Sequence, residues 1–224
     1  MKKSKKLMAV LMTAILGSAL LLTGCGGKIA TADVTAKAFY NLYILGDSTE
    51  IEKIALTNDE SNQILDKLKS TSQDATKNLI TSGGLQISDE QLDSIYNAEM
   101  EALKKLTVTT EIVSAEKDNA TIKLTTTYID LLTIDTKAAE EAANEANAMS
   151  LTDQTELNNK IVELYVNNLI EGFKAAQPSI ETKEATFECQ KQVYIVDGKN
   201  KDVWFPVDME TFGGNIAKMA TNQQ

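Results

Sequence analysis

The chain of 224 residues contains no histidine and no arginine, so all 22 of its basic residues are lysine. Without histidine, the Ser-His-Asp and Cys-His catalytic constellations and most zinc sites are excluded. Without arginine, no guanidinium fork exists to clamp a carboxylate or phosphate through two parallel hydrogen bonds. An enzyme built from this chain would have to work with carboxylates or lysine, and no motif singles out a catalytic residue, a metal ligand or a cofactor site. Proline occurs twice, tryptophan once, and cysteine twice, at Cys25 and Cys189. Two cysteines imply no disulfide framework. Positive charge is also scarce. With the four lysines at positions 2, 3, 5 and 6 set aside, 18 basic residues face 32 acidic ones from residue 25 onward, a net charge of −14. Such a surface disfavours nucleic acid, whose phosphates require neutralising cations, and disfavours close docking on anionic headgroups.

What is present begins at the N-terminus. MKKSKK is basic, and the 16 residues from Leu7 to Leu22 carry no charge. A basic n-region followed by an apolar h-region reads as an export signal, and 16 residues fall short of the roughly 20 that a bilayer-spanning helix needs. The run ends in Leu22, Thr23, Gly24 and Cys25, and this resembles the lipobox of bacterial lipoproteins. The resemblance implies that residues 1–24 are a cleaved signal peptide. It also implies that the Cys25 thiol is joined to diacylglycerol, and that fatty acyl chains such as palmitate hold the mature chain at the outer face of the cell membrane. Two acyl chains give stable anchoring where one gives only marginal binding. Residues 25–32 then form the lipidated cysteine and a tether of about eight residues, roughly 28 Å at most when extended. Residues 33–224 form a single domain.

Periodicity outlines that domain. Asp33 is a candidate cap for a helix carrying Ala36, Phe39, Tyr40, Tyr43 and Ile44 on one stripe. Thr57 and Glu60 stand at capping-box spacing before a stripe of Ile64, Leu65, Leu68, Ala75, Leu79 and Ile80. Ser88 with Gln91, flanked by Ile87 and Leu92, predicts a helix from Asp89 with Leu92, Ile95, Tyr96, Met100 and Leu103 inward. The β-branched stretch from Leu106 to Leu132, interrupted by EKDN, predicts two strands and a turn. An alanine-rich helix from Asp135 follows, then a helix with Leu157, Ile161, Leu164, Tyr165, Leu169 and Phe173, stopped at Gln177 and Pro178. A second hairpin is predicted from Thr182–Val196 and Lys201–Val207 across Asp197-Gly198. A last helix from Asp208 is weakened by Gly213 and Gly214. The fold class expected is α+β: an antiparallel sheet of about four strands from two hairpins, packed by amphipathic helices. The halves at about 57–133 and 135–207 read either as an αββ duplication or as the plain alternation common in α+β proteins.

Several fragments invite chemical readings. Ser114 to Lys117, SAEK, fits the Ser-x-x-Lys pattern of penicillin-recognising enzymes, but its companion motifs are missing and a strand end entering a turn explains it. DGKNKD, residues 197–202, has oxygen ligands but not EF-hand spacing. Glu140, Glu141 and Glu145 form a solvated helix face. Cys189 shares parity with Phe187, Val193 and Ile195 and reads as a small buried hydrophobe. Trp204, with Phe205 beside it, reads as a core plug at the sheet edge or as a stacking platform, and these two are the candidate ligand or partner contacts.

The order of elements across residues 30–220, with a long amphipathic helix before a hairpin that ends in a Trp-Phe-Pro segment, resembles small surface lipoproteins of Gram-positive bacteria that carry a domain of unknown function. Three function classes follow. The first is a membrane-anchored, extracytoplasmic binding or interaction module, with an apolar pocket between sheet and helices or a protein partner in the envelope. The second is the solute-binding component of a transporter, which calls for two α/β lobes. The third is a histidine-free cell-wall hydrolase, which calls for paired acids facing each other across a cleft.

Overall fold

Capping chemistry places the helices of this computed structural model, which describes residues 30–196 and 199–223. Helix α1 spans Ala32–Leu45 with Thr31 as its extended N-cap; Asp33, the predicted cap, lies in the first turn instead. Ala32 and Ala36 are both almost wholly buried, so the helix must already be wound at Ala32, one residue ahead of Asp33. Gly46 ends it in the left-handed region at φ 65°, where glycine carries no Cβ penalty. After a single 3-10 turn at Ile51–Ile54, α2 spans Asn58–Ser82 and α3 spans Asp89–Leu103. Both open with the predicted capping boxes. The Glu60 N–H donates to Thr57 Oγ1 and the Thr57 N–H to Glu60 Oε2, at 3.3 and 2.8 Å. The Gln91 N–H donates to Ser88 Oγ and the Ser88 N–H to Gln91 Oε1, at 3.2 and 3.0 Å. Each such cap contributes about 1 kcal/mol.

The four strands β1 (Val108–Glu116), β2 (Asn119–Thr127), β3 (Thr182–Val196) and β4 (Lys199–Pro206) form one antiparallel sheet in the order β1-β2-β3-β4. The protein is therefore α+β, with the two hairpins side by side. On β2 the side chains of Ala120, Ile122, Leu124 and Thr126 are buried, and Ile122 and Ala120 stand opposite Phe187 and Cys189 on β3. Cys189 is thus a small hydrophobe in the core, as its parity predicts. Val193 shares that parity but is 65% exposed, because β3 runs on beyond the covered part of the sheet. The turn residues Asp197 and Gly198 lie outside the described residues.

Helix α6 (Met209–Ala220) forms behind the predicted Asp208 cap despite its two glycines. With α1 it covers the inner face: Phe187 meets Phe212 at 4.7 Å and Phe205 meets Phe39 at 5.6 Å between ring centroids. Tyr40 and Thr126 share a buried hydrogen bond of 2.6 Å that joins α1 to β2. The opposite face is solvated and polar, with a Lys123–Glu111 ion pair at 2.6 Å and Thr121 donating to Glu188 at 2.9 Å.

The strand predicted to continue to Leu132 stops at Thr127. Asp130 accepts a hydrogen bond from the Thr133 N–H at 2.9 Å and starts α4 (Leu131–Ala148), so a cap overrides the β-forming tendency of the preceding residues. Helix α5 (Gln154–Ala175) packs closely on α4. The alanine stripe Ala138, Ala142 and Ala146 is buried at this contact, and a Cβ on Gly172 would meet Ile134 Cγ2 at 2.7 Å.

Candidate functional site

One helix face is less well filled than its pattern requires. Along α2 the residues Leu65, Leu68, Ser72, Thr76 and Leu79 recur at steps of three and four and share one side. The middle of this stripe is serine and threonine, and all five residues are only half-buried. The small side chains leave a slender cavity beneath α2, open to solvent, with about 60 Å³ of room for the centres of water-sized spheres.

The facing wall is assembled from five helices. Leu42 and Tyr43 of α1, Ile95, Tyr96, Glu99 and Met100 of α3, Leu131 of α4, Tyr165, Leu169 and Phe173 of α5, and Ala217 and Lys218 of α6 line it. Gly46 allows the walls to close: a Cβ there would meet Met100 Cε at 3.1 Å. A concave, mainly apolar pocket with a few polar groups is the usual form of a small-molecule site.

The polar groups are distinctive. Burial alone pushes the Glu99 carboxyl up from its ordinary 4.5 to about 7. Its side chain makes no hydrogen bond or ion pair among the described residues. Burial also pushes Tyr43 up to about 12. Tyr96 is raised by burial and then by the charges of Glu99 and Asp66. Tyr165 commits its hydroxyl to Asp135 Oδ1 at 2.5 Å and is raised by burial, by Asp135 and by Glu99. Asp135 is itself raised by burial, but it does not line the cavity. Of the carboxyls held above their ordinary range among the described residues, Glu99 alone faces the empty space.

The outer rim of α2 is tied to α3 by exposed contacts. Lys69 pairs with Asp93 at 2.6 Å, Gln73 donates to the same carboxylate at 2.8 Å, and Lys77 pairs with Asp89 at 3.1 Å. Exposed pairs of this kind contribute about 0–1 kcal/mol each.

Trp204 and Phe205 lie elsewhere. Both are buried, Phe205 against Phe39 and Trp204 under the Lys191 ammonium, 5.0 Å from its ring centroid. Neither lines the cavity, which sits among helices rather than between helices and sheet. Cys25 lies outside the described residues, as does the start of DGKNKD. Ser114 is exposed on β1, and Lys117 takes φ 47° in the hairpin turn. Glu140, Glu141 and Glu145 are exposed on α4. Among the described residues no group of three or more His, Cys, Asp or Glu is placed to hold a metal ion, and no helix is long and apolar enough to cross a membrane.

Two departures from pattern in the sequence mark this site. Glu99 falls at the inward step between Tyr96 and Leu103 of the α3 stripe, an acid in an apolar position. Ser72 and Thr76 interrupt the α2 stripe where leucines are expected.

Among curated proteins none matches the chain. The fold is similar to the crystal structure of YcdA from Bacillus subtilis subsp. subtilis str. 168, a protein whose lipoprotein assignment is itself provisional, with a TM-score of 0.60 at 20% identity. That similarity covers 84% of this chain and 56% of YcdA, so the chain spans little more than half the length of that protein. The stretch from Ala30 to Val193, which supplies α1 to α5, the first two strands, most of β3 and every cavity residue outside α6 and the C-terminal tail, matches the family model of the domain of unknown function DUF5105, and the chain belongs to that family.

Proposed function

We propose that the protein is a membrane-tethered, extracytoplasmic binding module, anchored through Cys25, that holds an apolar ligand in the cavity beneath α2. The cavity carries this reading: an apolar stripe left half-buried over a space lined by Leu42, Ile95, Leu169 and Phe173 has the form of a pocket for an apolar ligand. The tether is supported by the basic and apolar segment ending in LTGC. A binding role is favoured over hydrolysis because Asp135, the second raised carboxyl, is turned to Tyr165 and away from the cavity. A transporter's two-lobed receptor is disfavoured by the single sheet and the one main core shared by sheet and helices.

Two experiments test the two parts. Titration of the acyl-free mature chain (residues 25–224, Cys25→Ser) with N-phenyl-1-naphthylamine, a neutral apolar fluorophore, should give saturable binding that Ser72→Leu abolishes. Absence of saturable binding refutes the pocket. In cells, Cys25→Ala should shift the protein from the membrane to soluble or unprocessed fractions, and a cleaved form that stays membrane-bound refutes the anchor.

A further inference from the structure

We infer that the cavity selects cationic amphiphiles, with a slender apolar body lying under α2 and a protonated amine set against the Glu99 carboxylate. The inference rests on the binding-module reading and names its ligand class. Three observations support it. Glu99 is a half-buried acid with no hydrogen-bond or ion-pair partner among the described residues, on the wall of a space that a ligand can enter. A carboxylate drawn partly out of water gains from an opposite charge set against it, so a bound cation supplies what the fold leaves out.

The other titratable groups on the cavity do not supply it. Tyr43, Tyr96 and Tyr165 reach it from α1, α3 and α5; burial raises all three, so they remain neutral phenols. Lys218 lines the cavity from α6 but, among the described residues, forms no ion pair with Glu99. It stands in the last turn of its helix, where the carbonyl end of the helix dipole already favours a cation. The third observation is global. A mature chain with net charge −14 draws cations toward its clefts and repels fatty acids and anionic lipids.

A head-group series separates this inference from the reading beneath it. The acyl-free mature chain is titrated at about pH 8 with n-decylamine, n-decanol and decanoate, each displacing N-phenyl-1-naphthylamine. A charge-assisted hydrogen bond corresponds to about ten-fold or more in affinity. Decylamine should therefore bind at least about ten-fold tighter than decanol, with decanoate weakest. In Glu99→Gln the amine should fall to the level of the alcohol while the alcohol is unchanged. Equal binding of the three probes, or decanoate in first place through Lys218, overturns the inference and leaves the apolar pocket standing. Failure of the fluorophore itself to bind overturns both. Thermal unfolding of Glu99→Gln monitors folding independently, and the wild-type series decides the question without the variant.

Discussion

Filling the space beneath α2 should make the protein more stable and unable to bind. Ser72 sits at the centre of the cavity-facing side of α2, half-buried, with no side-chain hydrogen bond among the described residues to lose. Leucine at this position extends the stripe already formed by Leu65, Leu68 and Leu79 into the cavity. Full burial of such a side chain stabilises by about 1.5–3 kcal/mol, and a half-buried site gives about 1–2 kcal/mol. Leucine also exceeds serine in helix propensity by a few tenths of a kcal/mol. For a domain of this size, about 2–4 °C per kcal/mol translates the gain into a rise in Tm of roughly 3–9 °C. The assay is thermal unfolding by circular dichroism of wild type, Ser72→Leu and Ser72→Ala, beside fluorophore titration of each. Ser72→Ala removes the hydroxyl without filling space and should leave both readouts near wild type. A lower Tm for Ser72→Leu would mean that the walls are already in contact and no open space exists. Undiminished fluorophore binding would place the apolar site elsewhere.

Three further outcomes follow from named contacts. Because burial holds Glu99 near 7 when folded, the native state keeps a proton that the unfolded chain has lost above 4.5, so its contribution to stability falls as pH rises from about 4.5 to 7. At most about 3 kcal/mol is lost across that window, less where solvent reaches the carboxyl; urea unfolding of Glu99→Gln should match wild type near pH 4 and exceed it by up to that amount at pH 8, and a pH-independent difference refutes the assignment. Tyr40→Phe removes the buried hydroxyl that bonds Thr126 at 2.6 Å and should cost about 1–2 kcal/mol in denaturant unfolding, whereas an unchanged midpoint shows that the bond contributes nothing net. Burial, aided by the Glu188 charge, pushes the Cys189 thiol up to about 12; in a Cys25→Ser chain a thiol reagent should label it only at the rate of unfolding, and rapid labelling of the native protein contradicts its core position.

The elements that could be read in advance are those decided by neighbours in sequence. Thr57 with Glu60 and Ser88 with Gln91 form their caps from residues three apart, so α2 and α3 begin where predicted. The alternation of Phe187 and Cys189 likewise holds where β2 lies beside it. The misreadings occur where tertiary contacts decide. Residues 129–132 look like strand, but the Ile129 N–H bonds Ala220 O at 2.9 Å, leaving the sheet for α6, and Asp130 then caps α4. Asp33 is the better cap residue by type, yet the buried Ala32 fixes the start of α1 ahead of it. The same distinction governs the site. Trp204 drew notice as the sole tryptophan, but composition cannot show whether a ring meets ligand or core, and this one is covered by Lys191. The cavity depends on what six helices leave unfilled, and only two departures from pattern, Ser72 with Thr76 and Glu99, mark it in the chain.

Those two departures argue for a site because they coincide. A stripe interrupted by Ser72 and Thr76 forgoes apolar burial that two leucines would recover, and an unpartnered acid at Glu99 adds a desolvation cost. Packing flaws that arise independently have no reason to share a location, whereas a ligand pocket requires both space and an unsatisfied polar group in one place. The attachment of α2 is consistent with this. Phe39, Tyr40, Phe187, Phe205 and Phe212 tie α1 and α6 to the sheet through buried rings and a buried hydrogen bond, while α2 is anchored in the core by Ile64 and Ile80 and tied to α3 at its rim by exposed ion pairs. The half-buried stretch of α2 between Ile64 and Ile80 can therefore adjust to a ligand while the contacts that stabilise the sheet remain intact.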